Sequence, residues 1–275
     1  LKTWIKDIVD RRGVGGFVKQ LHLMSRYHGF FRKNFPSSLH RFLCAVEKYD
    51  AHCTFPIVAH VAVRNRKVVS KIVDGGHEIA SHGLIHVRFD YLSYTEQFRM
   101  FKESVEILKA LTLTDKIVGV RTPYQVHNDD TFVACADLGF QYDSSTHISK
   151  PTKPRLLHPK MVEIPVVLSD PTLIDEKGTP PNELSKIWIK VLEECGHNEV
   201  VTLNAHPVRM GTERYVTVLE ELLRYARNNG FWIACLSEVA TKFRSRGINM
   251  PTLALSGDID CVSIWDYTRR LLRKA

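Results

Sequence analysis

From residue 21 onward, short runs of strand-forming residues alternate with longer amphipathic runs, and no other feature of the chain constrains its fold as much. Strand-like runs fall at 21–25, 53–59, 78–81, 117–121, 141–143, 162–167, 200–204 and 232–235. Helical runs fall at 36–49, 66–74, 95–111, 129–138, 184–195, 214–229 and 237–244. Ser37 and Ser38 mark one start, and Gly75-Gly76 and Asn229-Gly230 follow two ends, as helix signals should. Alternation of this kind builds a mainly parallel sheet with helices outside it. About seven such units with no compositional break predict an α/β fold, a single closed or nearly closed barrel. We read one domain over residues 1–275: an N-terminal helix at 1–20, a barrel at 21–245 and a tail at 246–275.

Composition narrows the class. Hydrophobic content of 44% and charged content of 25% exclude wholesale disorder. The 6 cysteines form no CxxC pair, so a disulfide scaffold or cysteine-rich zinc module is unsupported and reduced cytoplasmic thiols are expected. The longest nearly apolar run, 55–63, is interrupted by His60 and is too short to cross a bilayer. Leu1, Ile5, Ile8 and Val9 share a helical face that suits packing across a barrel end, and no charged-then-apolar leader is recognisable. A net charge of +8 is compatible with an anionic glycan, a phospholipid surface or nucleic acid and selects none of them. There is no P-loop, GxGxxG, GxSxG elbow or nucleic-acid module, so kinase, dehydrogenase and serine-hydrolase chemistry and a nucleic-acid partner are not expected. The proline-rich stretch 151–182 reads as a long rim loop, a common place for substrate-binding surface.

The stretch Gly76-His77-Glu78-Ile79-Ala80-Ser81-His82-Gly83-Leu84-Ile85-His86 runs out of a strand into a turn. His82 and His86, at i and i+4, can converge on one ion, and neutral imidazole suits zinc and its first-row neighbours. GHEIASHGxxH resembles the second motif of the polysaccharide deacetylases, the family of chitin, peptidoglycan and chitooligosaccharide deacetylases. The resemblance continues in order along the chain. Cys53-Thr54-Phe55-Pro56 is similar to an ATFF strand and Arg121-Thr122-Pro123-Tyr124 to an RxPY motif. Residues 138–145 (LGFQYDSS) are similar to the strand into the fourth motif, Glu163-Ile164-Pro165 to an EIP strand, and Leu203-Asn204-Ala205-His206-Pro207 to LxxHP. Together these cover roughly residues 21–240.

The resemblance implies a deformed (β/α) barrel of roughly seven strands with its active site at the carboxyl ends of the strands. It implies hydrolysis of an acetamide or ester with zinc or another divalent first-row metal, on a carbohydrate substrate, here a lipid-linked or surface glycan, in the cytoplasm or peripheral to a membrane. His82 and His86 then take metal-ligand roles, His206 is the general acid, the Tyr124 N–H is the oxyanion donor, and Arg121 pairs with the catalytic carboxylate. Pro123 and Asp143 fall to substrate binding, Asp143 more by orienting its neighbours than by reacting.

The first motif of the family normally supplies two acids, yet no Asp or Glu occurs between Asp10 and Glu47. The place of the second fourth-motif Asp is held by Thr146, which leaves His206 without its expected orienter. Two repairs are open. His28 can replace the missing ligand, giving a three-histidine site with His82 and His86; the lost base can come from Asp258 or Asp260 of the tail SGDID, against the simpler expectation of a solvated turn.

Overall fold

Ten strands form one sheet in the computed structural model, which describes residues 22, 25, 27 and 34–272. They are β1 (Thr54–Ile57), β2 (Glu78–Ser81), β3 (Gly119–Val120), β4 (Tyr142–Asp143), β5 (Arg155–His158), β6 (Met161–Glu163), β7 (Leu168–Ser169), β8 (Val200–Asn204), β9 (Trp232–Ala234) and β10 (Thr252–Ser256). The helices are α1 (Asn34–Glu47), α2 (Ala59–Arg64), α3 (Arg66–Asp74), α4 (Tyr94–Thr112), α5 (Asp129–Asp137), α6 (Pro181–Glu193), α7 (Pro207–Met210), α8 (Val216–Asn228), α9 (Leu236–Arg246) and α10 (Ile264–Leu272). Neighbours in the sheet run β5-β6-β4-β3-β2-β1-β10-β8-β7, with β9 also on β10. Every pairing is parallel except β5 with β6. The sheet curls into the deformed barrel expected of the α/β pattern.

Local chemistry explains most of these elements. Ser93 and Glu96 form a capping box at the start of α4, and Asn128 accepts from the Thr131 N–H at the start of α5. In α8 the buried residues Val218, Leu219, Leu222, Leu223 and Ala226 recur at helical spacing and lay one face on the core. Strands β1, β8 and β10 are buried at every position, as parallel strands between helical layers must be. Among the described residues no helix is long and apolar enough to cross a membrane.

Two expectations fail. The strand expected at 21–25 is not one where it is described: His22, Ser25 and Tyr27 are helical. The Leu-His-Leu-Met-Ser alternation fits a strand, but Leu and Met are strong helix formers. The helix expected at 1–20 lies outside the described residues, as does His28. The second failure concerns the tail. Residues 252–256 form β10, a wholly buried strand between β1 and β8, paired with β8 along its whole length. Burying Leu253 and Leu255 there contributes roughly 1.5–3 kcal/mol each. Beyond β10 the backbone stays threaded between its neighbours: Gly257 N–H donates to Thr54 O, Ile259 N–H to Pro56 O, and Ala205 N–H to Ser256 O. A Cβ at Gly257 would lie 2.4 Å from Ala205 O, so only glycine permits this approach.

Candidate metal centre and acid–base site

The parallel strands all end on one side of the sheet, and the chemistry-bearing side chains follow directly after them. His82 follows β2, Arg121 follows β3, Asp143 ends β4, and Asp170 follows β7. His206 stands just past β8, with Asp258 and Asp260 just past β10. The central position of β10 therefore brings the SGDID acids between the histidines after β2 and His206 after β8. The solvated turn expected for this segment is not what forms: Asp258 is 5% exposed.

Asp260 Oδ1 lies 3.3 Å from His82 Nε2 and 3.3 Å from His86 Nε2. His82 Nδ1 stands 2.7 Å from the backbone oxygen of Arg121, which fixes the proton on Nδ1 and turns the Nε2 lone pair towards Asp260. The Oδ1 atom is itself buried and accepts no hydrogen bond. Lone-pair atoms converging on one point without a shared donor are what a cation would satisfy, and two imidazoles with one carboxylate suit zinc or a first-row neighbour. The residues fit the metal that the sequence implied, and among the described residues Asp260 joins His82 and His86 as a third potential ligand.

Arg121 is wholly buried, not a surface arginine at a strand end. Its Nη1 donates to Asp258 Oδ1 at 2.8 Å, its Nε to Ser144 O at 2.9 Å and its Nη2 to Ser144 Oγ at 2.8 Å. Asn204 Nδ2 donates to the other oxygen of Asp258 at 2.7 Å. Burial pushes the Asp258 carboxyl up, but Arg121, with His82 and His206, outweighs it and keeps it below its usual value. A buried carboxylate so held is ionised and fixed in orientation.

The orienter of His206 is Asp170. Its Oδ1 lies 2.5 Å from His206 Nδ1, and its Oδ2 accepts from the His206 backbone N–H at 3.2 Å. Burial alone would depress the imidazole, but Asp170 raises it above its ordinary value and so favours the protonated form. Thr146, at the position where the sequence suggested an orienter, hydrogen-bonds to Glu163 instead. No motif pointed to Asp170; the only cue was an acid seven residues after Glu163 in the rim segment.

Asp143 is fully buried, and its two oxygens accept from Ser145 Oγ at 2.6 Å and Ser145 N–H at 2.9 Å. Ser145 Oγ in turn accepts from the Thr122 N–H, so Asp143 braces the loop carrying Arg121 and is too deep for the substrate contact expected of it. Pro123 is buried as well. Tyr124 sits in the left-handed region at φ 61°, half exposed, with its ring edge-on to His86 at 4.5 Å between centroids. The ring forms one wall beside the histidines.

Residues 31–142 match the family model for polysaccharide deacetylases. No curated protein matches the sequence. Among solved structures, a candidate polysaccharide deacetylase from Mycobacterium smegmatis superposes with a TM-score of 0.68 at 22% identity, covering 90% of this chain and 87% of that one. PuuE allantoinase gives 0.66 at 19% identity, covering 76% and 72%. A family 4 carbohydrate esterase pseudoenzyme from Bacillus anthracis gives 0.53 at 17% identity, covering 81% and 59%. Over residues 31–142 the chain is similar in sequence to the polysaccharide deacetylases, and over most of its length it shares the fold of these solved structures.

Proposed function

We propose that this protein is a metal-dependent hydrolase that removes an acetyl or other acyl group from the nitrogen of an N-acylated sugar or glycan. The observation that carries the reading is the Arg121-held carboxylate of Asp258, set between the His82–His86–Asp260 cluster and the Asp170-held imidazole of His206. The three cluster residues would hold the metal, which when bound polarises the acyl carbonyl and acidifies water. Asp258 takes a proton from the attacking water, and the water oxygen bonds to the carbonyl carbon. The Tyr124 N–H meets the developing oxyanion. His206 protonates the nitrogen as the C–N bond breaks, which releases a free amine and a carboxylic acid. Arg121 and Asp170 act through their partners and touch no reacting atom. The proposed setting is cytoplasmic, or peripheral to a membrane that carries the glycan.

The test is hydrolysis of N-acetylated chitooligosaccharides by protein of measured zinc content. Wild type should release acetate, and Asp258→Asn should lose about 10²–10⁴-fold in rate while keeping its zinc. His206→Ala should lose a similar factor on the acetamide but much less on an activated aryl acetate, whose leaving group needs no proton. A zinc-loaded wild type that is inert on every acetamide, or equal losses on both substrates, overturns the reading.

A further inference from the structure

Beside the site, the chain after β10 builds a second polar recess. Ser263 caps the start of α10, its Oγ accepting from the Asp266 N–H and donating to Asp266 Oδ2, which also accepts from the Val262 N–H. Asp266 is 2% exposed and also accepts from Arg64 Nε at 2.7 Å and Asn65 Nδ2 at 3.2 Å, so its charge is consumed internally. This pins the Arg64 guanidinium against the first turns of α10. Arg269, on the same helix, is exposed, and among the described residues no acidic side chain pairs with it. Arg64, Trp265, Asp266 and Arg269 line an open recess of about 450 Å³, in which the Trp265 indole is 59% exposed. A narrower cleft shares Arg64, Asp266 and Arg269 with that recess and continues to His86 and Asp260.

We propose that Arg64, Arg269 and Trp265 form a recognition subsite for an anionic substituent of the sugar, so that the preferred substrate is an acidic N-acylated sugar. This rests on the hydrolase reading and narrows its substrate. The positive charge left in the recess is supplied by guanidinium, which matches carboxylate and phosphate oxygens in a planar fork. The exposed indole offers a flat apolar face for a pyranose ring, with the polar groups beside it fixing orientation. The shared lining residues set the recess next to His86 and Asp260, so a molecule that brings its acyl group to those residues brings its anion towards Arg269. Carboxylate and phosphate share this chemistry, and the experiment separates them.

Binding to the full-length, zinc-loaded Asp258→Asn protein is measured by calorimetry with N-acetylglucosamine, N-acetylmuramic acid and N-acetylglucosamine 6-phosphate. At least one acidic sugar should bind about 10-fold tighter than the neutral one, and which does so identifies the anion. Arg269→Gln should cut that preference to within about 2-fold, Arg269→Lys should keep part of it, and Trp265→Ala should weaken all three. In the otherwise wild-type enzyme, Arg269→Gln should raise KM for the acidic sugar with little change in kcat. Equal binding of all three sugars, no binding at all, or a preference that survives Arg269→Gln overturns the subsite. Arg269-dependent binding without hydrolysis would sink the hydrolase reading and leave the subsite standing. Hydrolysis of the neutral sugar with no acidic preference would do the reverse.

Discussion

The two ends of one sheet handle buried charge in opposite ways. At the amino ends, Glu78 accepts from Thr54 Oγ1 at 2.6 Å, Tyr142 OH at 2.8 Å and the Ser237 N–H at 3.1 Å. Every donor aimed at it is used, and the group ties β1, β2, β4 and α9 together. At the carboxyl ends, Asp260 Oδ1 faces two imidazole nitrogens and accepts no hydrogen bond. A satisfied buried carboxylate is a structural tie; an unsatisfied one among lone pairs is set up for something that arrives from outside.

Removing Asp260 is the sharpest way to break this contrast. Asp260→Ala deletes one of three ligand atoms and no hydrogen bond that holds the fold. Zinc content should fall from about one per chain to near none, with thermal stability of the zinc-free protein nearly unchanged. Elemental analysis with parallel melting curves decides it. Retained zinc, or collapse of the fold, would mean that Asp260 belongs to the same class as Glu78.

The carboxyl end was only half legible in the sequence, and the reason is chain order. His82, His86, Arg121 and His206 stand in local motifs whose spacing survives any arrangement of strands. Asp258 and Asp260 belong to the acid-bearing strand that the family resemblance placed first, whereas here β10 comes last and still lies between β1 and β8. Five residues, Thr252–Ser256, are too short a run to separate a core strand from a tail by periodicity. The available signal was their join to Gly257 and an Asp-x-Asp, a strand, a tight turn and two acids in the form missing elsewhere. Asp170 had no such signal, because a lone acid in a rim segment acquires its role only when β7 docks beside β8. Helix bounds were read closely, since α3 and α8 carry strong amphipathic patterns.

At the amino end the expected effect is on stability. Glu78→Ala strands three donors, two of them side-chain hydroxyls, in a partly buried setting. It should cost about 3 kcal/mol, read as a lower denaturant midpoint at unchanged slope. Glu78→Gln keeps an acceptor oxygen and should recover part of that loss. Zinc content should stay at the wild-type level in both variants. A Glu78→Ala protein as stable as wild type, or one that has lost zinc, would erase the distinction between the two ends.

Asp143 gives the finest test, because it lies near the carboxyl ends yet behaves like Glu78. Burial raises its carboxyl from 3.8 to about 7, against the bonds from Ser145 that favour the charge. Between those two values the folded protein holds a proton that the unfolded chain has released. Stability must therefore fall as pH rises through that window, and the contribution is fully lost above about 7. Asp143→Asn removes the ionisation while leaving an amide oxygen to accept from Ser145. Wild type should lose melting temperature between pH 5 and pH 8, and the variant should lose less, with the gap closing or reversing at pH 8. Parallel curves for the two proteins across that range would show that Asp143 is charged in the folded state throughout. The brace under the Arg121 loop would then be a charged one, closer in kind to the Arg121-held carboxylate of Asp258.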